Sequence, residues 1–170
     1  GTVPVSGAKN AALPLLMATI VAPGEHRIAN LPELADVESM LSLLGRIGCP
    51  SLMGPIVRID TSRVAWCEAP YDLVRTMRAS IYVLGPLLAR LGAARVSLPG
   101  GCAWGPRPVN LHLTGLAALG ASLEIEHGYI TGHNVKLHGG TFHFDVVSVG
   151  ATAQVMMAAT LAEGTTVLEN

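Results

Sequence analysis

The residues best equipped for chemistry lie in one loop, residues 98–108, which holds Cys102 and Arg107 among three glycines and three prolines. Paired glycines before the cysteine permit close backbone approaches, while the prolines stiffen the exit of the loop. A thiolate is the reactive form of cysteine, and a neighbouring cation favours it. The pattern predicts a lid carrying a nucleophile or acid. The alternative is that Cys102 is a small, inert residue in a turn.

Three cations extend this hypothesis to an anionic substrate. Lys9 starts a predicted helix, where the helix dipole disfavours a cation, so it is a candidate for holding an anion. Arg107 lies between Pro106 and Pro108, which fix its backbone and favour a guanidinium fork for phosphate or carboxylate. Arg78 lies among small and apolar residues. The alternatives are a Lys9 side chain that extends from the helix edge into solvent and a surface ion pair for Arg78.

Two further segments have the composition of a ligand site. Residues 148–152, Ser-Val-Gly-Ala-Thr, predict a strand-to-helix turn that presents backbone donors to a phosphate. His112 lies in a predicted helix and is either a ligand-binding residue or a hydrogen-bonded core histidine. With the cations and Cys102, these segments predict a site for a multiply anionic substrate.

Composition narrows the class of protein. The 170 residues carry a net charge of −1, which gives no electrostatic reason to expect nucleic acid or a membrane surface as partner. The three cysteines and the histidines at 127, 133, 138 and 143 lack metal-ligand spacing, and we expect no metal and no cofactor. Neither a signal peptide nor a membrane span is indicated, and a reducing, cytoplasmic setting is expected.

A repeat organises the chain. Glycines that end predicted buried helices, Gly24, Gly92 and Gly164, recur 68 and 72 residues apart, and those ending the next helices, Gly48 and Gly120, are 72 apart. The unit is strand–helix–strand–helix–strand–strand, with predicted strands at 2–5 and 25–30 and predicted helices at 8–22, 36–47 and 69–91. Asp36 is the predicted N-cap of the second of these helices, which then runs from Val37 to Ile47. Such self-similarity indicates equivalent units that share a core. The third unit is interrupted at Asn170, which suggests a piece of a longer protein.

Several motifs together resemble one family. They are Ser6-Gly7-Ala8-Lys9-Asn10-Ala11-Ala12, Met77-Arg78-Ala79-Ser80, Leu98-Pro99-Gly100-Gly101-Cys102, Arg107-Pro108-Val109 and Ser148-Val149-Gly150-Ala151-Thr152. In order and almost without gaps, they resemble the UDP-N-acetylglucosamine 1-carboxyvinyltransferase family. The resemblance implies an α/β fold, an inside-out α/β barrel of two domains, each built from three βαβαββ repeats of about 70 residues. Residues 1–170 then correspond to the first domain, with two complete repeats and part of a third, and the second domain is absent from this chain.

The resemblance also implies a reaction and roles for residues. The enolpyruvyl group of phosphoenolpyruvate passes to the 3-OH of UDP-N-acetylglucosamine, the first committed step of peptidoglycan synthesis, and phosphate leaves. Cys102 matches the proton donor that forms a covalent phosphoenolpyruvate adduct and is alkylated by fosfomycin. Phosphoenolpyruvate is expected at Lys9, Asn10 and Arg107. UDP-N-acetylglucosamine is expected at Asn10, Arg78, Arg107, Pro108, Val109, Asn110, Leu111, His112, Val146, Val147, Ser148, Val149 and Gly150.

The chain departs from the family pattern at a few positions. Asn110 replaces a usual aspartate, Val146 stands where some relatives have lysine, and Trp104 and Pro106 enlarge and stiffen the loop. Two other interpretations remain open. One is a non-catalytic fragment or degenerate paralogue that binds a nucleotide sugar. The other is an enolpyruvyl transferase with a different acceptor.

Overall fold

The fold is described from a computed structural model that covers residues 1–69, 71–74, 77–98, 109–133 and 135–170, with only the backbone of Arg78. Helices and strands alternate along the chain, as the predicted repeat requires. The helices are α1 (Lys9–Ala18), α2 (Ala35–Arg46), α3 (Tyr71–Val74), α4 (Leu84–Leu91), α5 (Asn110–Ala118) and α6 (Val149–Ala159), with 3-10 helices at Thr19–Val21 and Arg78–Val83. The strands are β1 (Glu25–Ala29), β2 (Ser51–Leu52), β3 (Ile56–Asp60), β4 (Glu68–Ala69), β5 (Ala94–Ser97), β6 (Glu124–Glu126), β7 (Tyr129–Gly132), β8 (Thr141–His143) and β9 (Val167–Glu169).

The described strands form small sheets that follow the repeat. In the first, β3 pairs antiparallel with β1 and β2. In the second, β5 pairs parallel with β4 and antiparallel with β7, which also pairs with β6. In the third, β8 and β9 pair in parallel. The parallel pairs β4–β5 and β8–β9 therefore occupy corresponding places in successive units, and the predicted mixed α/β fold is confirmed.

The helices pack into a core made almost entirely of aliphatic side chains. Leu16, Met17 and Ile20 are fully buried, as are Leu84 and Leu87 of α4. Helix α6 contacts α1, α4 and α5 across this layer. Small residues allow the close approach: a Cβ on Gly115 of α5 would lie 2.4 Å from Val155 Cγ2 of α6.

The glycines that define the repeat have one conformation in common. Gly24, Gly48, Gly92, Gly120 and Gly164 all have positive φ, between +66° and +136°. This region of backbone space costs little for glycine and much for residues with a Cβ, so glycine is suited to ending a helix there. The recurrence of glycine in the sequence thus corresponds to recurrence of a backbone turn.

Some predicted elements differ in the structure. Residues 2–5, predicted as a strand, form no strand, although the Gly7 amide donates to the Asn30 carbonyl at the end of β1. The helix predicted over 69–91 is divided: α3 ends at Val74, and Met77 is extended. Further along, Pro86 cannot donate to the carbonyl of Tyr82 and its ring would clash there, which disfavours an α-helical turn. A 3-10 helix therefore precedes α4. Asp36, predicted as a helix cap, lies inside the first turn of α2.

Candidate anion-binding cleft

A cleft of about 450 Å³ opens where several helices begin. The first two residues of α1, Lys9 and Asn10, lie on one wall, and Met77 and Ala79 at the start of a 3-10 helix lie on another. The wall is completed by Leu13, Asp36, Ile81, Tyr82, His112, Ser148, Val149 and Gly150. Because unpaired N–H groups point out of helix N-termini, their convergence gives the cleft a positive potential. This arrangement favours a negatively charged group in the cleft.

Lys9 supplies a full positive charge to this cleft. Its Nζ atom lies 2.9 Å from Oδ2 of Asp36 on α2, and the two side chains are 47% and 36% exposed. Such solvent-exposed pairs contribute only about 0–1 kcal/mol. An anionic ligand can therefore take over Lys9 from Asp36 at little cost. The ion pair keeps the Lys9 ammonium group at the cleft, where an anionic ligand can replace Asp36 as its partner.

The N-terminus of α6 presents the second set of donors. Ser148 is its N-cap, and the Ser148 Oγ atom accepts from the Ala151 amide at 3.3 Å. The first residue, Val149, is 78% exposed, so the start of the helix is open to solvent. Gly150 keeps the backbone accessible, since a Cβ there would lie 3.0 Å from Tyr82 Oη. The predicted turn at residues 148–152 thus begins a helix that borders the cleft.

His112 forms the floor of the cleft and is only 4% exposed. Its Nδ1 atom lies 2.5 Å from Oε1 of Gln154, which is fully buried on α6. Its ring also lies 6.3 Å from that of Tyr82, at an interplanar angle of 38°. His112 is therefore a hydrogen-bonded buried histidine that also lines the cleft.

The other predicted site residues fall into three groups. Val109, Asn110 and Leu111 lie at the start of α5, within one turn of His112 but outside the described cleft wall. Val146 and Val147 precede α6 and are 63% and 70% exposed, also outside that wall. Arg78 begins the 3-10 helix beside the cleft, and its side chain lies outside the described residues. Cys102, Arg107 and Pro108 also lie outside the described residues, as do Trp104 and Pro106.

Three polar residues at or next to the cleft were not predicted: Asp36 and Tyr82 on its wall, and Gln154, which is hydrogen bonded to His112. Gln154 had a detectable signal, because it is the only long polar side chain in the apolar α6 sequence VGATAQVMMAA. A buried amide needs a hydrogen-bonding partner, so its position points to one on a facing helix. The Lys9–Asp36 pair had no comparable signal, since it depends on how α1 packs on α2.

The two described cysteines, Cys49 and Cys67, lie away from the cleft wall. Burial raises the pKa of the Cys49 thiol to about 11, which keeps it protonated and unreactive at neutral pH. Among the described residues, no group of three or more His, Cys, Asp or Glu is placed to hold a metal ion. Within the same residues, no helix has the length and apolarity needed to cross a membrane.

Solved structures place this architecture among the enolpyruvyl transferases. The fold superimposes on the enolpyruvyl transferase NikO from Streptomyces tendae with a TM-score of 0.84, at 22% identity, over 99% of this chain and 40% of that protein. EPSP synthase from Acinetobacter baumannii gives a TM-score of 0.74 at 16% identity, over 96% of this chain and 39% of that protein. The fold is therefore the α/β fold of that class.

The sequence itself identifies the family. The family EPSP synthase (3-phosphoshikimate 1-carboxyvinyltransferase) matches residues 1–170, and the chain belongs to it. Within that family, a UDP-N-acetylglucosamine 1-carboxyvinyltransferase from Geobacter metallireducens is 57% identical over the whole chain, and one from Anaeromyxobacter sp. (strain K) is 56% identical. The chain spans 41% and 42% of the lengths of these two relatives.

Proposed function

We propose that this chain is the first-domain part of a UDP-N-acetylglucosamine 1-carboxyvinyltransferase, which transfers the enolpyruvyl group of phosphoenolpyruvate to the 3-OH of UDP-N-acetylglucosamine. One observation carries the proposal: Lys9 and the first turns of separate helices converge on a single cleft. Both substrates are multiply anionic, which this arrangement favours. The names of relatives more than 50% identical over the whole chain support the same substrates.

In this proposal the described residues bind and position the substrates. Lys9 leaves Asp36 for the carboxylate or phosphate of phosphoenolpyruvate, beside Asn10. The start of α6, from Ser148 to Gly150, offers backbone donors to the diphosphate of the nucleotide sugar. His112 contacts the same ligand from the floor of the cleft. Fixed donors of this kind stabilise charge that develops as phosphate leaves.

Proton transfer is assigned to Cys102 on the residues 98–108 loop, with Arg107 as a further cation. A thiol with an ordinary pKa near 8.5 lies close enough to neutral pH to act as an acid. It donates a proton to the methylene carbon of phosphoenolpyruvate, which becomes a methyl group, while the sugar 3-OH oxygen bonds to the neighbouring carbon and loses its own proton to water. The tetrahedral adduct then breaks its C–O bond to phosphate, and a methyl proton returns to the Cys102 thiolate, which restores the double bond of the enolpyruvyl ether. We place this chemistry in the cytoplasm, at the first committed step of peptidoglycan synthesis, with the rest of the protein completing the site.

A charge-removal experiment tests the binding part. Lys9→Met should weaken binding of phosphoenolpyruvate in the presence of UDP-N-acetylglucosamine by about 30-fold in titration calorimetry on the complete protein, about 2 kcal/mol for a lost charged hydrogen bond. Lys136→Met is the matched control, because Lys136 is exposed and outside the described cleft wall. Equal, small effects of both substitutions would contradict the assignment of this cleft to phosphoenolpyruvate.

A second experiment tests the chemistry in the complete protein. Cys102→Ser should leave UDP-N-acetylglucosamine binding nearly unchanged and lower turnover by about 100-fold or more, the usual contribution of a general acid. Intact-mass analysis should show a phosphoenolpyruvate adduct that maps to Cys102 in the parent protein and is absent from the variant. Binding of the nucleotide sugar without any turnover by the parent protein would instead support a non-catalytic nucleotide-sugar-binding protein.

A further inference from the structure

Asn30, at the end of β1, has a backbone conformation that few residue types adopt. Its φ is +57°, and among the described residues only Asn170 and His127 share a positive φ without being glycine. The left-handed region brings Cβ too close to the backbone in most residues, and asparagine is one of the few that tolerate it. The proposed reaction does not use Asn30, so its residue type calls for another explanation.

Asn30 contacts the segment that enters α1. Its carbonyl oxygen accepts from the Gly7 amide at 3.1 Å. A Cβ on Gly7 would overlap this oxygen, so the close approach requires glycine. Gly7 lies two residues before Lys9, the first residue of α1, and Ala8 between them makes no side-chain cap bond within the described residues. The Gly7–Asn30 contact therefore ties the start of α1 to the end of β1.

An asparagine recurs at the equivalent place in the third unit. Asn170 follows β9 as Asn30 follows β1, and the sequence separation of these asparagines equals that of Lys9 and Val149, which begin α1 and α6. Asn170 also has a left-handed backbone, with φ of +80°. Its Nδ2 atom donates to the Phe144 carbonyl at 2.6 Å, in the segment that leads to α6. Both asparagines thus contact the chain that enters a helix bordering the cleft, although through different atoms.

We propose that Asn30 is a positioning residue for Lys9: its left-handed backbone fixes the start of α1 and so sets the place of the Lys9 ammonium group at the cleft. The inference rests on the proposed function, in which Lys9 binds phosphoenolpyruvate. The loop that follows Asn30 leads into α2, whose Asp36 lies 2.9 Å from Lys9 Nζ. Asn30 is therefore joined by its carbonyl group to the segment before Lys9 and by the chain to the segment before Asp36. A change in its backbone angles shifts these two segments relative to each other.

The first test reads the contact without any ligand. In amide hydrogen exchange on the complete protein, the Gly7 amide should be protected in the parent and lose about tenfold in protection in Asn30→Val, because valine disfavours positive φ. Asn30→Gly should keep the protection, since glycine adopts this conformation readily. An unprotected Gly7 amide in the parent protein would overturn the proposal.

The matched control for this test is His127→Val. His127 is also exposed and has φ of +50°, in the turn between β6 and β7. The substitution introduces the same backbone strain away from the cleft wall. It should lower the midpoint of urea denaturation as Asn30→Val does, and leave exchange at Gly7 unchanged. The same loss of Gly7 protection in His127→Val would show a general loss of stability and contradict the proposal.

The second test reads the consequence for binding. With UDP-N-acetylglucosamine present, Asn30→Val should weaken phosphoenolpyruvate binding by about tenfold in titration calorimetry on the complete protein, since a displaced group binds poorly. Asn30→Gly and His127→Val should both bind within about twofold of the parent. Asn30→Ala introduces a milder form of the same strain and replaces Asn30→Val if that variant does not fold.

Two results of the binding test would contradict the proposal. Unchanged phosphoenolpyruvate affinity in Asn30→Val would mean that Lys9 needs no positioning by this residue. An equal loss of affinity in Asn30→Gly would mean that the Asn30 side chain, rather than its backbone, acts on the ligand.

A double substitution shows whether the effect passes through Lys9. Asn30→Val should weaken phosphoenolpyruvate binding little or not at all in a Lys9→Met background, because the group that it positions is already absent. Additive losses would overturn the proposal. The proposed function fails separately, if the parent protein binds no phosphoenolpyruvate while the exchange pattern at Gly7 holds. Binding that depends on Lys9 and not on Asn30 contradicts this inference alone.

Discussion

The two ends of the helix layer differ in how their backbone groups are satisfied. At the end where α1 and α6 begin, the first residues of these helices border an open cleft with Lys9. At the opposite end of α1, a guanidinium group supplies a positive charge next to backbone carbonyl groups. Arg90 of α4 donates to the carbonyls of Ile20 at 2.8 Å and Thr61 at 2.6 Å, and more weakly to Ser62 at 3.3 Å.

The helix dipole acts at both ends, but the chain itself supplies the partner charge at the carbonyl end only. Carbonyl groups at a helix C-terminus attract a cation, and the chain supplies Arg90 from its own sequence. Amide groups at a helix N-terminus attract an anion, but the described acid at the cleft, Asp36, is paired with Lys9. The carbonyl end is thus satisfied internally and stabilises the fold, whereas the amide end borders the open cleft, which our proposal assigns to the ligand. Substitutions at the two ends should separate stability from binding.

The largest effect is expected at Arg90. Arg90→Met keeps much of the apolar stem but leaves the carbonyls of Ile20 and Thr61 without their charged donor. We expect a loss of about 3 kcal/mol in the free energy of unfolding, the scale for charged hydrogen bonds and their unsatisfied partners. Urea denaturation followed by circular dichroism measures it, with ligand affinity measured on the folded variant.

The matched control for this prediction is Arg46→Met, because Arg46 is exposed in the last turn of α2. Its effect should be within about 0.5 kcal/mol, as for most surface substitutions. Weakened ligand binding in Arg90→Met with unchanged stability would show that the two ends are not separable in this way.

A smaller effect, on binding rather than on stability, is expected at Gly150. A Cβ there would lie 3.0 Å from Tyr82 Oη and 3.5 Å from His112 Cε1, on the cleft wall. Gly150→Ala should weaken nucleotide-sugar binding by about tenfold, or 1.4 kcal/mol. Its helical position favours alanine, which offsets the cost of crowding and leaves stability nearly unchanged.

Gly45→Ala is the control for helix propensity. Gly45 lies in α2, and a Cβ there meets nothing within 4 Å. This substitution should stabilise the protein by about 0.5–1 kcal/mol without affecting binding. If calorimetry shows the same affinity for Gly150→Ala and Gly45→Ala, the cleft wall at α6 is not where the ligand lies.

Local sequence signals predicted the parts of the fold and cleft that depend on nearby residues. Glycine spacing found the helix ends because positive φ selects glycine at each of them. Lys9 was singled out because a cation is unusual at a helix start, and the Ser148 turn because serine is a favoured N-cap. The local rule at Pro14 was overridden by packing. Proline disfavours a helix interior, yet α1 begins at Lys9 and contains Pro14, since buried packing of Leu13, Leu16 and Met17 outweighs the missing hydrogen bond.

Pairings between distant elements could not be predicted in the same way. Asp36 has the features of an N-cap in the sequence, and its contact with Lys9 exists only because α2 packs on α1. Likewise, Gln154 and His112 are 42 residues apart and meet through packing of α5 on α6. The strand predicted at residues 2–5 has alternating apolar residues, but Val3 and Val5 are more than 80% exposed. Residues without a buried face gain little from forming a strand.

The smallest effect is expected from removal of the Ser148 helix cap at the start of α6. Ser148→Ala removes the hydroxyl that accepts from the Ala151 amide and should cost about 1 kcal/mol of stability, as for other helix caps. The freed amide remains available to the ligand, so nucleotide-sugar affinity should change less than twofold. Ser42→Ala, at an exposed position in α2, should change neither quantity. A large loss of affinity in Ser148→Ala with normal stability would show that the hydroxyl binds the ligand directly, and the cap would then be secondary to recognition.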